Sequence, residues 1–367
     1  MPIKIFHTSD IHLGMKFNNY PDQVKSCLSE ARFEALERMI STAGDLKADI
    51  FVIAGDLFNA IQLAKRDISR AASILNKFEG SCLLVLPGNH DYDNGAIDLW
   101  KDFSQNTADN ILLLNEERPY NLRDYDLDVT VYPAPCHSKH STENSLGWIK
   151  DEGLTEDEGF HIGIGHGSLE GLSPDMEGNY YYMSMSELGA IPVDLWLMGH
   201  THVNWPTGEK VHNHKIFNAG TPEPDGMDYK GEGSAWFIEL MKDKVSAEMV
   251  ATGNYRFIDD AYLLQNEDDF DRISDRVLKD CPEKKAVRLS LSGNISKEAY
   301  DGLGEFYSKL EKELFYLDIE DSKLKIKISD EIISREFREG SFPHEFLKGL
   351  MHDEEALQMA YDLLGRD

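Results

Sequence analysis

The chain of 367 residues is 41% hydrophobic and carries a formal net charge of −29. This length predicts two or three compact pieces with at least one large core. The acidity argues against a nucleic-acid binder that works through a large basic surface, but it leaves room for local contacts with DNA. No apolar run approaches the roughly 20 residues of a membrane helix, and the N-terminus is too polar for a signal peptide. We therefore expect no membrane association and, by default, a cytoplasmic location.

The first 258 or so residues alternate short apolar runs with helical patterns. The runs "IKIF", "DIFVIAGD" and "CLLVLPG" predict strands, and the residues from Pro21 to Leu46 and from Arg66 to Phe78 predict the helices between them. This alternation predicts a largely parallel α/β sheet. Further strands are predicted at "ILLL", "DVTVYPA", "HIGIGHG" and "DLWLMGH", and "SAWFIEL" with "VSAEMVA" is typical of an antiparallel pair.

The character of the sequence changes around "GNYRFIDD", residues 253–260. Helical patterns at 268–279 and 296–314, with the strands "AVRLSLSG" and "SKLKIKIS", predict a small α+β domain. From residue 331 the sequence is helical and amphipathic, and Pro343 is typical of a helix start. We therefore predict three parts, 1–258, 259–330 and 331–367.

Five of the predicted strands end at residue types that bind metal ions. Because the carboxyl ends of strands in an α/β sheet form the crevice where ligands bind, these side chains are expected to converge. Carboxylates, imidazoles and an amide oxygen suit Mn²⁺, Fe²⁺ or Zn²⁺, and the lack of a cysteine among them argues against a structural zinc site. Two such ions can clamp a phosphate and activate a water. In chain order, the side chains are Asp10, His12, Asp56, Asn89, His90, Asp91, His166, His200 and His202.

Each of these motifs also has an ordinary structural explanation. A single "GD" after a strand is usually a turn, and "GNHD" alone can cap a helix. Five motifs in order, each closing a strand, favour a shared metal site over five separate turns. In the middle of this order stands Asp56, which can bridge two ions.

The motifs "SDIH", "GDLF", "GNHD", "GHG" and "GHTH" resemble those of the calcineurin-like metallophosphoesterase superfamily over about residues 1–258. Within it, "HTSDIHLG", "PGNHDY" and "NAGTPEP" are similar to the DNA-repair exonuclease branch, the SbcD and MRE-type nucleases. The resemblance implies an α/β sandwich of two mixed β-sheets flanked by helices. It also implies a small α+β capping domain, entered through "YRFIDD", and a helical C-terminus.

The resemblance further implies a role for each site residue. Two divalent metal ions are expected, with Mn²⁺ first and Fe²⁺ or Zn²⁺ as alternatives. His90 would stabilise charge and protonate the leaving oxygen without binding metal. Asp91 would either orient His90 or cap the next helix. One ion would be held by Asp10, His12, Asp56 and His202, and the other by Asp56, Asn89, His166 and His200.

Two functions remain open at this stage. The first is a DNA exo/endonuclease of repair that works with an SMC-like coiled-coil ATPase of the SbcC type and forms a homodimer. The second is a phosphoesterase of small substrates such as a cyclic nucleotide, a nucleotide or a phosphoprotein. Asn59 stands where the nuclease branch often has His or another ionisable residue. This difference and the acidity favour the second function, whereas the C-terminal domain favours the first. A non-enzymatic scaffold is disfavoured because every expected ligand is present.

Two further segments allow more than one interpretation. The aromatic loop "GNYYYMSM" between two ligand strands either stacks bases or packs over the rim of the site. The C-terminal helices either dock the ATPase or pack onto the capping domain. Their apolar residues include Phe342, Phe346, Leu350, Leu357 and Leu364.

Overall fold

The computed structural model describes residues 2–173, 175 and 177–364. The polypeptide divides into two compact units, Met1–Arg256 and Phe257–Asp367. The residues from 331 onwards belong to the second unit in this division, and the three-part organisation stays a prediction.

The first unit alternates strands and helices through most of its length. Connections from a helix into the next strand are four to seven residues long, whereas those that leave the carboxyl ends of β1, β2, β3, β6, β7 and β8 are ten residues or longer. In chain order the elements are β1 (Ile3–Thr8), α1 (Asp22–Asp45), β2 (Ile50–Ala54), α2 (Lys65–Leu75), β3 (Cys82–Leu86), α3 (Asp98–Ser104), β4 (Ile111–Leu113), β5 (Tyr120–Asn121), β6 (Val129–Ala134), α4 (Gly147–Glu152), β7 (Phe160–His166), α5 (Met185–Ala190), β8 (Leu195–Gly199), β9 (Lys210–His212), β10 (Ile216–Asn218), β11 (Ser234–Met241) and β12 (Lys244–Ala251).

These strands form two mixed sheets. The first has the order β4-β3-β2-β1-β11-β12-β9, in which β1 to β4 are parallel neighbours and β11 is antiparallel to both β1 and β12. The second has the order β10-β8-β7-β6-β5, in which only the edge strand β5 is antiparallel to its neighbour. Both sheets therefore present several parallel carboxyl ends, which is where ligands bind in such folds.

The first unit has four layers, which are, in order, helices, the first sheet, the second sheet and helices. One apolar cluster lies between each pair of neighbouring layers. Side chains alternate between the two faces of a strand, so each sheet contributes to two clusters. Burial on both faces also explains why β2 and β3 are buried at every residue. The outer cluster of the first sheet includes Phe6, Phe51, Leu36, Leu75 and Phe103, the central cluster includes Ile5, Val52, Leu84, Val131, Ile164 and Leu197, and the outer cluster of the second sheet includes Tyr132, Trp196, Ile149 and Leu188.

The second unit is an α+β structure around the sheet β13-β14-β15, in which β14 and β15 are parallel. Two helices pack on this sheet around Ile273, Leu289 and Phe306. The last three helices share a separate small cluster that contains Ile333, Leu347 and Leu357. The elements are β13 (Arg256–Leu264), α6 (Asp268–Val277), β14 (Lys285–Ile295), α7 (Lys297–Glu313), β15 (Tyr316–Ile326), α8 (Asp330–Glu336), α9 (Phe342–Gly349) and α10 (Glu354–Leu364).

The predicted fold class, two mixed sheets flanked by helices with a further α+β unit and a helical C-terminus, is confirmed. The last strand differs from the prediction, because it begins at Tyr316 and not near residue 322. Its first half pairs with β14 from Ala286 onwards. The sequence pattern does not predict this half as a strand, because the acidic residues Asp318 and Glu320 interrupt the apolar alternation. Within the described residues, no helix is long and apolar enough to cross a membrane.

We expect the second unit to depend on its own core for stability. Replacing Leu289, which is fully buried in β14, by Ala should lower the free energy of unfolding by about 2–5 kcal/mol because it leaves a cavity. Urea unfolding followed by circular dichroism measures the change. The matched control is Leu263→Ala on β13, where the side chain is 63% exposed, and a change within about 0.5 kcal/mol is expected there. Equal losses in both variants would contradict this assignment of the core.

Candidate metal centre

The predicted ligands come together at the carboxyl ends of strands from both sheets of the first unit. Asp10 and His12 follow β1, Asp56 follows β2 and Asn89 follows β3 in the first sheet. In the second sheet, His166 ends β7, and His200 with His202 follows β8. The two sheets face each other across the central apolar cluster, so their strand ends open onto one crevice.

One group of side chains surrounds His202. Its Nε2 atom lies 3.2 Å from Nε2 of His12 and 3.6 Å from Oδ1 of Asp10. The His12 Nε2 atom lies 4.0 Å from the same Asp10 oxygen. These three ligand atoms lie within 4.8 Å of one another, which is close enough to share one metal ion.

A second group surrounds the side-chain oxygen of Asn89. This oxygen lies 3.1 Å from Nε2 of His166 and 3.0 Å from Nδ1 of His200. His166 is held from its other side, where Nδ1 lies 2.8 Å from the carbonyl oxygen of Ala54. A neutral imidazole held in this way directs its Nε2 lone pair into the centre.

Asp56 lies between the two groups. Its Oδ2 atom is 3.6 Å from Nε2 of His12 and 3.4 Å from Nε2 of His166. Its Oδ1 atom accepts the backbone N–H of His90 at 2.9 Å. One carboxylate oxygen therefore faces both groups, which is the arrangement that a bridging ligand requires.

The backbone around the centre is strained. Asp10, His12, Asp56 and His200 have φ values of 54°, 51°, 54° and 92°, in the left-handed region that non-glycine residues rarely adopt. Such strain persists where surrounding structure enforces it, and it is common at functional sites. Gly55 and Gly88 allow close approaches, because a Cβ atom would lie 2.0 Å from Nδ1 of His166 at the first position and 2.2 Å from Oδ1 of Asp56 at the second.

The charge of the centre is unusual for a protein interior. The Asp10 and Asp56 side chains are almost completely buried, and among the described residues only imidazoles lie within ion-pair distance of them. Burial opposes their ionisation, but His202 beside Asp10 and His166 beside Asp56 outweigh it and hold the pKa of both carboxyls well below its usual range. Buried carboxylates of this kind need a compensating positive charge.

In the absence of metal, protons supply that charge. Burial disfavours protonated imidazoles, yet Asp56 raises the pKa of His166 to about 9, and Asp10 with Asp225 raises that of His202 to about 10. Burial lowers the pKa of His12 to about 3 and that of His200 to about 4. Two imidazolium ions thus lie beside three carboxylates, Asp10, Asp56 and Asp225, in positions where metal cations would otherwise supply positive charge.

The donor set therefore fits divalent metal ions. Carboxylate, imidazole and amide oxygen are ligands that Mn²⁺, Fe²⁺ and Zn²⁺ accept. Bound divalent ions would polarise a phosphoryl group and lower the pKa of a water molecule. The residues that could hold them are Asp10, His12, Asp56, Asn89, His166, His200 and His202.

His90 lies beside the cluster and is oriented by a backbone group. Its Nδ1 atom is 3.1 Å from the carbonyl oxygen of Asn59, so a proton on Nδ1 leaves Nε2 available. One of its ring nitrogens also lies within 4.8 Å of ligand atoms of His12 and Asp56, so distance alone makes it a candidate ligand as well.

Asp91 makes neither of the contacts that the sequence suggested. Its Oδ1 accepts the backbone N–H of Gly88 at 2.7 Å, and its Oδ2 accepts that of Phe58 at 2.9 Å. Helix α3 begins at Asp98 after Ile97, so Asp91 does not cap it. The Asp91 side chain ties the loop after β3 to the loop after β2 through these two contacts, which positions Asp56 and Asn89. Its burial and the nearby Asp56 raise its pKa to about 8.

Sequence reasoning missed two residues behind the ligands. Asp225 accepts a hydrogen bond from Nδ1 of His202 at 2.6 Å, and it lies in a loop that no strand-end pattern marks. Arg32 is fully buried, and its Nη1 donates to the carbonyl oxygen of Ile11, between two ligands. A signal for Arg32 was present, because it lies on the buried side of α1, four residues from both Leu28 and Leu36.

The aromatic loop reaches the rim of the centre. The Tyr180 ring stacks on His200 at a centroid distance of 5.4 Å, and Tyr181 is buried. Tyr180 also lines a cavity of about 920 Å³ beside His200 and His202. Four carboxylates and no lysine or arginine are among the described residues that line it. The carboxylates are Asp175, Glu177, Asp225 and Asp228.

Fold and donor set together define a metal-dependent hydrolase of phosphate esters. Residues 3–204 match the family model of the calcineurin-like phosphoesterases, and the chain belongs to this family. The predicted superfamily and enzyme class are thereby confirmed. The family uses divalent metal ions, in agreement with the candidate ligand groups described above.

The chain is also similar to individual members of known protein groups. The chain is 25% identical over 254 residues to the uncharacterized metallophosphoesterase YhaO of Bacillus subtilis, covering 66% of this chain and 56% of the relative. It is 26% identical over 233 residues to the DNA double-strand break repair protein Mre11 of Methanopyrus kandleri, covering 60% of this chain and 49% of the relative. The chain thus spans about half the length of these relatives. A solved structure, TT1561 of Thermus thermophilus, aligns with a TM-score of 0.42 and 15% identity over 69% of this chain and 100% of that one.

Metal binding should release protons at neutral pH. A metal ion must displace the protons held on His166 and His202, whose pKa values are about 9 and about 10. Affinity for Mn²⁺ should therefore rise with pH until about these values and fall as the solution becomes more acidic. Calorimetric titration of the chelator-treated protein at pH 7, in two buffers of different ionisation enthalpy, measures the released protons. His166→Ala should release fewer, and identical enthalpies in both buffers for the unaltered protein would contradict the expected exchange.

Proposed function

We propose that this phosphoesterase is a two-metal DNA exo/endonuclease of DNA repair, with Mn²⁺ as the metal and Fe²⁺ or Zn²⁺ as alternatives. The observation that carries the choice of DNA is a basic groove beside the metal centre. The match to an archaeal Mre11 supports the same choice. A homodimer is part of the proposal by analogy with the nuclease branch.

The basic groove stands out against the acidity of the whole chain. It is a cavity of about 660 Å³, lined by four cationic side chains and two carboxylates among the described residues. Three of these cations are ion-paired, Lys25 with Asp22, Arg66 with Asp67 and Arg70 with Glu30, so a phosphate would compete with these carboxylates for them. Met15, three residues after the ligand His12, lines both this groove and the acidic cavity next to His200. The backbone of a nucleic acid would therefore meet cations on one side of the centre. The cations are Lys16, Lys25, Arg66 and Arg70, and the carboxylates are Glu30 and Asp67.

His90 is the proposed general acid. Its backbone N–H is bonded to Asp56 and its Nδ1 to the Asn59 carbonyl, which together fix the ring next to the ligands. With Nδ1–H directed at this carbonyl, the ring must carry a second proton on Nε2 to act as the acid, and this second proton would pass to the departing sugar oxygen. Because the contact uses the main chain of residue 59, the side chain of Asn59 does not change it.

A phosphoesterase of small substrates is the second candidate. The acidic cavity supports it, because four carboxylates there repel the phosphates of a long polyanion. The asparagine at position 59 supports it as well, for the reason that the sequence suggested. The two functions differ in the substrate only, since the same ligands and the same acid would serve both.

We further propose that an SMC-like ATPase of the SbcC type docks on the exposed face of α9. Phe342 and Phe346 are 73% and 44% exposed, and their rings stack at 5.5 Å. Leu357 is buried in the cluster of the last three helices, and Leu350 and Leu364 pack against it. The helices thus use some apolar residues for their own packing and leave a pair of aromatic rings that could bind the coiled coil.

Replacing His90 by Ala should separate substrates by the basicity of their leaving group. A DNA strand departs as an alkoxide that needs a proton, so cleavage of linear DNA with Mn²⁺ should fall roughly 10²–10⁴-fold. Hydrolysis of bis(p-nitrophenyl) phosphate should fall much less, because nitrophenolate is a good leaving group. End-labelled single-stranded and duplex DNA, assayed with and without EDTA, give the measurement.

The control for the loss of an imidazole elsewhere is His212→Ala, because His212 is an exposed residue on β9.

Arg66→Glu tests the basic groove. We expect roughly tenfold weaker DNA cleavage at low salt, with hydrolysis of the small diester unaffected. Its matched control is Lys244→Glu on the exposed surface of β12. Hydrolysis of the small diester without any action on DNA would reject the nuclease proposal and leave the phosphoesterase standing.

The partner proposal predicts the effect of removing the aromatic pair. The double variant Phe342→Ala and Phe346→Ala should lower capture by an immobilised SbcC-type coiled-coil segment about tenfold, because exposed aromatic anchors dominate such interfaces. Activity on the small diester should not change. The control is Met359→Ala with Leu363→Ala on α10, both of which are exposed. Undiminished capture by the aromatic variant would contradict docking through this face.

A further inference from the structure

We propose that Asp225 is a positioning residue that holds the His202 ring in the metal centre and thereby sets the affinity for one of the two ions. The inference rests on the proposed two-metal centre. It concerns a residue outside the seven predicted ligands, in the segment "PEPDG" that follows β10.

The contact fixes which nitrogen of His202 carries a proton. Oδ2 of Asp225 lies 2.6 Å from Nδ1 of His202, and an ionised carboxylate can only accept a hydrogen bond. Nδ1 is therefore the protonated nitrogen, and Nε2 is left to face Asp10 at 3.6 Å and His12 at 3.2 Å. Carboxylates that hold metal-binding imidazoles in this way raise their basicity and fix their orientation.

His202 needs such support more than the neighbouring rings do. Its side chain is 30% exposed, whereas His12 is 3% and His166 is 0% exposed. The ring borders the cavity of about 920 Å³, which offers room for it to turn away from the centre. Among the described residues, Asp225 is the hydrogen-bond partner of its Nδ1.

Asp225 is itself held in place by the segment before it. Oγ1 of Thr221 lies 3.0 Å from the carbonyl oxygen of the ligand Asp10. The buried carboxylate of Glu223 accepts the backbone N–H groups of Asn254 and Tyr255 at 2.7 and 2.8 Å. Asp225 therefore starts from a fixed backbone, and it has only one side-chain torsion beyond χ1 to lose on forming the contact.

The position of His202 makes the expected effect selective. His202 belongs to the group with Asp10 and His12, whereas Asn89, His166 and His200 form the other group. Only Asp56 is shared between them. Loss of the Asp225 carboxylate should therefore weaken one ion and leave the other almost unchanged.

Asp225→Ala in the full-length protein tests this selectivity. Mn²⁺ is titrated into chelator-treated protein, and the bound ions are followed by calorimetry and by electron paramagnetic resonance, which distinguishes a coupled pair from a single ion. We expect one of two sites to weaken about 10–100-fold, with the coupled signal replaced by that of a single ion. Asp225→Glu should recover part of the lost affinity, because it restores an acceptor.

Asp228→Ala is the matched control, because Asp228 lines the same cavity and carries the same charge. It should leave both affinities within about twofold, since an exposed charge at this range acts weakly. Equal weakening by both variants, or two unchanged sites in Asp225→Ala, would overturn the positioning role. Fewer than two ions in the unaltered protein would overturn the two-metal proposal, and this inference with it.

Discussion

The structure around the metal centre depends on compensating the charge of two buried carboxylates. Asp10 and Asp56 lie in the interior with imidazoles as their ionic partners, and no described lysine or arginine lies within ion-pair distance of them. A protein interior tolerates such charges only with compensation. Protonated histidines provide it in the absence of metal, and divalent ions would provide it more completely. The loops after five strands are arranged around that requirement.

The fold meets this requirement at a cost in local strain. Four ligand residues adopt left-handed backbone conformations, each costing on the order of 1–3 kcal/mol. The central apolar cluster between the two sheets offsets this cost, because it fixes the strands from which the loops depart. The Asp91 side chain adds a direct tie between two of those loops through backbone N–H groups of Gly88 and Phe58. The residues that stabilise these strand ends therefore also hold the candidate metal ligands in position.

The convergence of these side chains can be predicted from the sequence because its signal is local and repeated. Each ligand follows an apolar run, and parallel strands bring such positions together by topology alone. The supporting residues are harder to predict. Asp225 meets His202 from a loop without a strand-end pattern, and the group that orients His90 is the main-chain carbonyl of Asn59. A contact made by the main chain does not depend on the residue type, so the identity of residue 59 does not predict its hydrogen bond to His90. The predicted strand β15 is too short for a related reason, since its acidic first half shows no apolar alternation.

The net charge of −29 is a poor guide to the substrate. Charge acts over about 10 Å at moderate salt, so a ligand at the centre responds to the two adjoining cavities more than to distant surface. These cavities differ in sign, and the shared wall at Met15 puts the change within a few residues of the ligand His12. A chain of phosphates that crosses the whole site would meet repulsion on the acidic side. A substrate with its phosphates on the basic side alone would avoid that repulsion. If the substrate is DNA, as proposed above, this difference in local charge favours the end of a strand over the interior of a long one.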